Sequence, residues 1–396
     1  MIKQYYGACL FDDSKIPGHG WSCRPDGDPE RISGIHDLGN DINWVTNLEY
    51  KAFISNNLGH IKHICQNQFF RESVDALILD YGFGSNRNME ASQFLANHFN
   101  NTAIFGNTLT GIDPVKNRLN YRYSQHISNQ LNIPILRQGA RGITQELADF
   151  ICESSTQANQ AMVGGINGSI SLHCYYPRLL YFRWLLSQPV PISTDWNKTS
   201  LKQERDVGFK NGRIVNEDLI KKMAATSVSK MQAMFLRISV NSQQKDYATF
   251  GTFGRGKKEP REWVTLPELL NICRYSLVTI KEVYTLPMGY LKDHVDFLSD
   301  IYAAPDVSIS MGLFMQNVAA AIMAPVNKKE TPLGAYLRAY DRVGCFHAAE
   351  KLYSLGVLPA SFSMGRIVTR VTEDQVENTK ACMASIGLVP FLGDVS

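Results

Sequence analysis

The sequence lacks the features that mark zinc-binding, disulfide-rich, secreted or membrane-spanning proteins. Its eight cysteines lie at least fourteen residues apart, so there is no CxxC pair, and such spacing fits buried reduced thiols better than a disulfide framework. The first fifteen residues contain no apolar core of a signal peptide. The most apolar stretch, MGLFMQNVAAAIMAPV, is short and interrupted by Gln316 and Asn317. We therefore expect a soluble protein in a reducing compartment.

Catalytic signatures are also missing. The sequence has no HExxH or GxSxG motif, and no carboxylate pair whose spacing requires acid–base chemistry. The segment from Gly251 to Lys258, GTFGRGKK, is one residue away from the P-loop pattern GxxxxGK[ST]. However, polar residues precede it, Lys258 replaces the magnesium-binding hydroxyl, and Pro260 disfavours the helix that should follow. The sequence therefore predicts no catalytic residues, no metal site and no cofactor.

Positive charge is concentrated in the middle of the chain, although the net charge is only +3. Residues 1–50 carry four basic and eight acidic side chains, whereas residues 202–274 carry fourteen basic and eight acidic ones. Glycines in the loop at 251–258 would let its backbone approach a phosphate, and each lysine or arginine can release a condensed counterion. Taken alone, the loop is equally compatible with a solvated basic turn.

Other cations could join this loop in one phosphate-binding groove. Lys198, Lys202 and Arg205 have the spacing of one helix face. The residues that we predict to bind the phosphates of a nucleic-acid strand are Lys202, Arg205, Lys210, Arg213, Arg255, Lys257, Lys258 and Arg261, and the C-terminal half adds Arg338 and Arg342.

Helical periodicity dominates most of the sequence. Residues 216–238 and 265–284 keep apolar side chains at 3.6-residue spacing, and residues 310–325 are apolar nearly all round, which predicts a buried helix. Residues 1–45 contain prolines, glycines and apolar side chains without periodicity, which predicts an extended arm packed on its own domain or on a neighbouring surface. The few runs that predict β-strands are 76–81, 102–105 and 365–368.

One segment favours an enzyme instead. In ALILDYGFGSNRNMEASQF, Asp80, Gly82 and Gly84 resemble the first motif of class I S-adenosylmethionine-dependent methyltransferases, and Asp113 could then bind the ribose. Asn86 replaces the third glycine, and Asp113 follows Gly84 by 29 residues, where about 20 is typical. A turn between a strand and a helix explains the same residues. An RNA methyltransferase is therefore the alternative function.

The order of features over residues 175–396 resembles the nucleoproteins of non-segmented negative-strand RNA viruses. In ERDVGFKNGRIVNEDLIKKMAATSVSKMQAMFLRISV a basic segment precedes an apolar helix, and the basic glycine loop and LPELLNICRYSLVTIKEVY follow it. The tail KACMASIGLVPFL is similar to terminal segments that some family members place on a neighbouring subunit. The resemblance implies a mainly α protein, with two helical lobes, an RNA groove between them, and extended N- and C-terminal arms.

The resemblance also implies domain boundaries, a function and partners. The N-terminal arm would be residues 1–45, the lobes 46–262 and 263–371, and the C-terminal arm 372–396. The protein would not be an enzyme. It would coat single-stranded genomic RNA by sequence-independent phosphate binding, and its arms would link copies into a helical nucleocapsid inside the virion and the host cell. The viral polymerase or its cofactor would be a further partner.

Overall fold

The computed structural model divides the chain into two compact units. The first contains residues 1–118, 307–314 and 390–396, and the second contains residues 119–306 and 315–389. The structure describes residues 6–65, 87–110, 143–156, 160–161, 170–199, 201, 203–243, 262–293 and 331–390, together with the single positions 74, 77, 78, 83, 315, 318, 319, 322 and 323.

The first unit is built on a four-stranded sheet. Its strands are β1 (Tyr6–Phe11), β2 (Gly20–Cys23), β3 (Glu30–Ile32) and β4 (Asn43–Thr46). They lie in the order β3-β2-β1-β4, with β1 parallel to β4 and the other pairs antiparallel. Helices in the described part of this unit include α1 (Tyr50–Ser55) and α2 (Asn88–Thr110).

Strand β1 is buried on both faces, which explains its unbroken apolar sequence YGACLF. Its residues Tyr6, Ala8 and Leu10 pack in the same core cluster as Leu95 and Phe99 of α2. Its intervening side chains pack in a second cluster, which contains Cys9, Phe11, Trp44, Leu48 and Phe53. The expected extended arm over residues 1–45 is therefore wrong, because its described part, from Tyr6 on, contains the strands of a sheet that supplies the core of its own unit.

The second unit contains a seven-stranded sheet. Its strands are β7 (Pro189–Pro191), β8 (Asn197–Thr199), β9 (Arg205–Lys210), β10 (Arg213–Val215), β11 (Gln232–Gln243), β12 (Trp263–Thr265) and β13 (Ser276–Tyr290). The main order is β10-β9-β13-β11-β12, and β7 and β8 also pair with β13.

A five-stranded sheet completes the β-structure of the second unit. It contains β5 (Gln160–Ala161), β6 (Ile170–Tyr175), β14 (Pro359–Ser363), β15 (Arg366–Val371) and β16 (Val389–Pro390), in the order β16-β6-β15-β14-β5. Helices in the described part of this unit include α3 (Gln145–Thr156), α4 (Arg178–Leu186), α5 (Glu217–Ser229), α6 (Leu266–Ile272), α7 (Pro332–Ser354) and α8 (Val376–Ser385).

Helix α7 is the centre of the second unit, because it packs against α3, α4, α6, β7, β14 and β15. The sequence TPLG starts it: the Thr331 hydroxyl accepts a hydrogen bond from the Gly334 N–H, and Pro332 occupies the first turn, where its missing N–H costs nothing. Its buried Tyr336 hydroxyl accepts a bond of 3.1 Å from the Met234 N–H in β11. One helix thus anchors both sheets.

A buried ion pair joins α7 to α6. The Arg342 guanidinium donates to the Glu268 carboxylate, with Nε 2.8 Å from Oε1, and both side chains are at most 3% exposed. The other Glu268 oxygen accepts bonds of 2.9 Å from the N–H and hydroxyl of Thr265, which caps α6. Both oxygens of the Glu268 carboxylate accept hydrogen bonds. These bonds offset the free-energy cost of removing the two charges from water.

The mainly α fold with terminal arms is wrong, because the described residues form three sheets as well as helices. Helices do begin at Glu217 and Leu266 as predicted, but each stops early and a strand follows, β11 or β13. These strands pair with each other, so long-range pairing overrides local periodicity. The predicted lobe boundary at 262/263 divides this sheet.

Other predicted elements have mixed outcomes. The strand at 365–368 is confirmed within β15, and residues 315, 318, 319, 322 and 323 are helical and buried as expected. The strand at 102–105 is wrong, because these residues lie in α2. The predicted C-terminal arm instead contains α8, whose Val376 and Met383 are buried. Among the described residues, no helix is both long and apolar enough to cross a bilayer.

Replacing Arg342 with methionine should reduce the free energy of unfolding by about 3–5 kcal/mol, because Glu268 would remain as a buried charge without its cation. Urea denaturation of the full chain measures this loss. The matched control is Arg274→Met, since Arg274 is half exposed in its pair with Glu350 and should cost about 1 kcal/mol or less. A similar small effect for both variants would contradict the assigned role of the buried pair.

A second prediction concerns Glu282 on β13. Its hydrogen bond and ion pair with Lys198, and then those with Arg237, lower the pKa of its carboxyl despite partial burial. A depressed carboxyl pKa stabilises the fold at neutral pH, and this contribution is lost as the pH falls below the ordinary value near 4.5. Glu282→Gln should therefore lose less stability than the unsubstituted protein between about pH 5 and pH 3.

Urea denaturation at a series of pH values tests this difference. Glu377→Gln is the control, because Glu377 is 84% exposed in its pair with Lys380. The control should reproduce the pH profile of the unsubstituted protein. If Glu282→Gln also reproduces it, Glu282 does not contribute to acid sensitivity.

Candidate nucleic-acid interface

The structure describes only some of the predicted phosphate-binding residues. Lys202, Arg255, Lys257, Lys258 and Arg261 lie outside the described residues. Arg205, Lys210 and Arg213 are exposed on β9 and β10, where the structure brings Lys210 and Arg213 opposite each other. The expected helical alignment of Lys198 with Arg205 is wrong, because both lie in strands. Lys198 is paired with Glu282 at 2.6 Å.

The two cations predicted for the C-terminal half lie on α7. Arg338 is partly buried and makes contacts within the protein. Arg342 is buried in its pair with Glu268. The position of Arg342 does not fit the predicted contact with RNA, since binding a phosphate would require it to leave a buried carboxylate.

A different cationic surface lies on one face of the five-stranded sheet. Side chains alternate between the two faces of a strand, and the burial of β6 and β15 follows this alternation. Leu172, Cys174, Ile367 and Thr369 are buried. The residues between them are exposed or half-buried, and we call the surface that they form the open face: Ser171, His173, Tyr175, Ser361, Arg366, Val368 and Arg370.

The strand register defines neighbours on the open face. Arg366 pairs with Tyr175 and Arg370 pairs with Ser171, on either side of the pair between Val368 and His173. Arg366 and Arg370 are four residues apart on one strand, which places their Cα atoms roughly 13 Å apart. None of the described strands of this sheet contains an aspartate or glutamate. The open face therefore presents two guanidinium groups beside aromatic rings without a carboxylate on these strands.

A tight turn positions Arg366 at one end of this face. Strands β14 and β15 are joined by Met364 and Gly365, which have φ values of 52° and 71°. Two successive positive φ values are typical of a type I′ hairpin, but methionine rarely adopts this conformation and is strained in it. A side chain at position 365 is also excluded, because a Cβ there would lie 2.7 Å from the Tyr181 ring.

The buried carboxylate of Asp341 on α7 holds this turn in place. Its two oxygens accept hydrogen bonds from the N–H groups of Met364 at 2.8 Å and Gly365 at 3.1 Å. The Tyr181 hydroxyl donates a third bond of 2.6 Å. Burial, and then the charge of Asp341, raise the pKa of Tyr181 well above its ordinary value, so its hydroxyl keeps the proton that it donates. The central helix thus fixes the strained turn.

Aromatic packing supports Tyr181 from one side. Its ring stacks on that of Tyr176, with centroids 4.8 Å apart, and Tyr176 directly follows β6. The Tyr176 hydroxyl donates to the Gly344 carbonyl on α7. The strands that carry the open face are therefore tied to α7 at both β6 and the β14–β15 turn. This site was not predicted from the sequence, although the strand at 365–368 and the adjacent tyrosines at 175 and 176 point to it.

The described residues give no support to the methyltransferase motif. Leu77 and Ile78, which were predicted to lie in its strand, are helical. The Phe83 N–H donates to the Ile78 carbonyl, a bond typical of a helix C-terminus. Asp80, Gly82, Gly84 and Asp113 lie outside the described residues. Among the described residues, no cluster of three or more histidine, cysteine, aspartate or glutamate side chains could hold a metal ion.

Comparison with known proteins gives only remote likenesses. No protein-family model and no curated protein sequence matches the chain. Solved structures that match include phi29 DNA polymerase complexed with primer-template DNA, at a TM-score of 0.39 and 12% identity over 74% of this chain and 54% of the polymerase. An orthorhombic crystal form of phi29 DNA polymerase matches at a TM-score of 0.36 and 11% identity, over 73% of this chain and 53% of the polymerase.

The chain spans about half the length of these polymerases. At these TM-scores the likeness carries no activity to this chain, and the prediction that it is not an enzyme stays a prediction. The resemblance to viral nucleoproteins is wrong, because the described residues form three sheets where the resemblance implied two helical lobes.

Replacing Asp341 with asparagine should loosen the β14–β15 turn. The amide keeps the shape of the side chain but replaces one acceptor oxygen with a donor, which then faces an N–H or O–H group. The expected loss in the free energy of unfolding is about 1–3 kcal/mol, with faster hydrogen exchange at Met364 and Gly365. Glu350→Gln on the same helix is the control and should leave both exchange rates unchanged. Unchanged exchange in Asp341→Asn would show that the carboxylate does not hold the turn.

Proposed function

We propose that this protein binds single-stranded nucleic acid without sequence preference, through the open face of the five-stranded sheet. The observation that carries this proposal is the composition of that face. Arg366 and Arg370 lie beside Tyr175 and His173, and the described strands of the five-stranded sheet contain no acidic residue. A surface of this kind offers both of the contacts that a single strand requires, which are cations for the phosphates and flat rings for the bases.

The arginines supply the electrostatic part of binding. A guanidinium group can donate two parallel hydrogen bonds to the oxygens of one phosphate, which an ammonium group does less specifically. Each neutralised phosphate also releases condensed counterions, which favours binding most strongly at low salt. Arg370 is exposed and Arg366 is half-buried, and neither forms an ion pair with any residue in the described part of the chain. Their charge is therefore available to a ligand.

The rings explain why a single strand is preferred to a duplex. Tyr175 and His173 are half-buried beside the arginine-bearing strand, so unstacked bases could lie against them. In a duplex the bases are already stacked and only their edges reach a protein surface. Every base has a flat face, so stacking contacts tolerate any sequence. The rigid β14–β15 turn keeps Arg366 next to Tyr175, which reduces the entropy lost on binding.

The double variant Arg366→Gln/Arg370→Gln tests this proposal. Binding of fluorescein-labelled oligouridine and oligodeoxythymidine should be measured by anisotropy over a salt series. Removing two phosphate contacts should reduce the magnitude of the log–log salt slope by about 1.4, so that raising salt from about 50 to 200 mM costs about 7-fold less affinity than before. Affinity at low salt should also fall.

The control variant is Lys51→Gln/Lys62→Gln, which removes the same charge from exposed positions of the first unit. It should bind like the unsubstituted protein. If both double variants bound the oligonucleotides equally weakly, the loss would follow from net charge alone. That result would contradict the assigned site. Failure of the unsubstituted protein to bind either oligonucleotide at low salt would contradict the proposed function itself.

A further inference from the structure

The hairpin formed by β9 and β10 carries a second cationic feature, separate from the open face. The strands are joined by Asn211 and Gly212, whose φ values are 49° and 79°. This is the two-residue Asn-Gly connection that favours a type I′ turn, whose twist matches that of the flanking strands. The loop therefore holds the two strand ends in a defined register, with Lys210 directly opposite Arg213.

This register places two like charges side by side. Directly opposed residues of an antiparallel pair have Cβ atoms about 4.5–5.5 Å apart, and like charges at that distance oppose pairing. Lys210 and Arg213 are both exposed. Neither forms an ion pair with any described residue. The hairpin thus keeps two repelling charges at its tip, although a neutral residue at either position would abolish the repulsion.

Two carboxylates on the adjoining elements have partners of their own. Asp206 on β9 accepts a hydrogen bond of 2.5 Å from the Thr279 hydroxyl. Glu217, at the start of α5, forms an ion pair of 2.7 Å with Lys221. Arg205 lies five residues before Lys210, so alternation places it on the other face of β9. The tip therefore presents one lysine and one arginine as a pair.

The base of the hairpin is rigid. Val207 is fully buried in the core under the seven-stranded sheet, and β9 pairs with β13 over four residues. The Asn216 side chain, directly after β10, donates to the Asp206 carbonyl. At the turn itself, a Cβ added to Gly212 would meet no atom of the described residues within 4 Å. The two cations thus stand on a fixed support with space for a ligand around the turn.

We infer that Lys210 and Arg213 form a clamp for one phosphodiester of a bound nucleic acid strand, an inference that rests on the proposed function. The planar guanidinium matches the two non-bridging oxygens of a phosphate, and the ammonium adds a second charge from the opposite strand. A phosphate between the two heads would convert their repulsion into two attractive contacts. The clamp would thus extend the protein's contact with the nucleic acid to a second sheet.

The test compares Lys210→Gln/Arg213→Gln with the unsubstituted protein and with Lys51→Gln/Lys62→Gln, using labelled oligouridine and oligodeoxythymidine. The hairpin variant should reduce the magnitude of the log–log salt slope by about 0.7, because one phosphate contact is lost. Its melting temperature should stay the same or rise, because the like-charge pair is gone. Lys210→Arg, which keeps the charge, should retain the slope and affinity of the unsubstituted protein.

Several outcomes would overturn the clamp. If Arg366→Gln/Arg370→Gln weakens binding and the hairpin variant does not, the proposed function stands and the clamp fails. A lower melting temperature in the hairpin variant, with equally weak binding by Lys210→Arg, would show that the pair supports the fold instead. Competition by poly-glutamate as effective as that by oligouridine would show that the tip takes acidic polymers in general. No oligonucleotide binding by the unsubstituted protein would remove the proposed function as well.

Discussion

The buried pair between Arg342 and Glu268 is the interaction on which the second unit depends. It joins the central helix α7 to α6, and α6 packs against β11 and β12 of the seven-stranded sheet. Burying both charges is favourable only because Thr265 and Arg342 together supply a donor to each oxygen of Glu268. The helix that this pair secures also contacts β14 and β15, so the geometry of the five-stranded sheet rests on the same support.

Two neighbouring residues of α7 therefore have different roles. Arg342 is directed to α6, while Asp341 holds the turn between β14 and β15. The turn contains Met364 at a positive φ, a conformation that would be costly without fixed acceptors for its N–H groups. Strain of this kind persists when the surrounding structure requires it, and here it lies at the end of the open face. The buried Asp341 carboxylate thus holds the turn that positions Arg366 on the open face.

The failure of the family resemblance has a specific physical cause. Residues 216–238 and 265–284 read as long amphipathic helices, because each begins with a helix, the second of which is capped by Thr265. Their second halves are β11 and β13, which pair with each other in the interior of a sheet. Buried strands carry apolar residues on both faces, so their sequences contain enough apolar positions to continue a 3.6-residue pattern. The two-lobed helical interpretation followed from that continuation.

Local chemistry could be predicted from the sequence, and long-range pairing could not. The starts of α5 and α6, the strand near Arg366 and the buried helical segment around Val318 follow from caps, short-range composition and periodicity, which act within a few residues. Likewise, Lys210 and Arg213 were predicted to be accessible cations, and both are exposed; that they bind phosphate stays a prediction. Only the tertiary structure decided that Arg342 is buried, because its partner Glu268 is 74 residues away. It also decided that Arg366 lies beside Tyr175, since strand register is set by the packing of a whole sheet and not by neighbours in the chain.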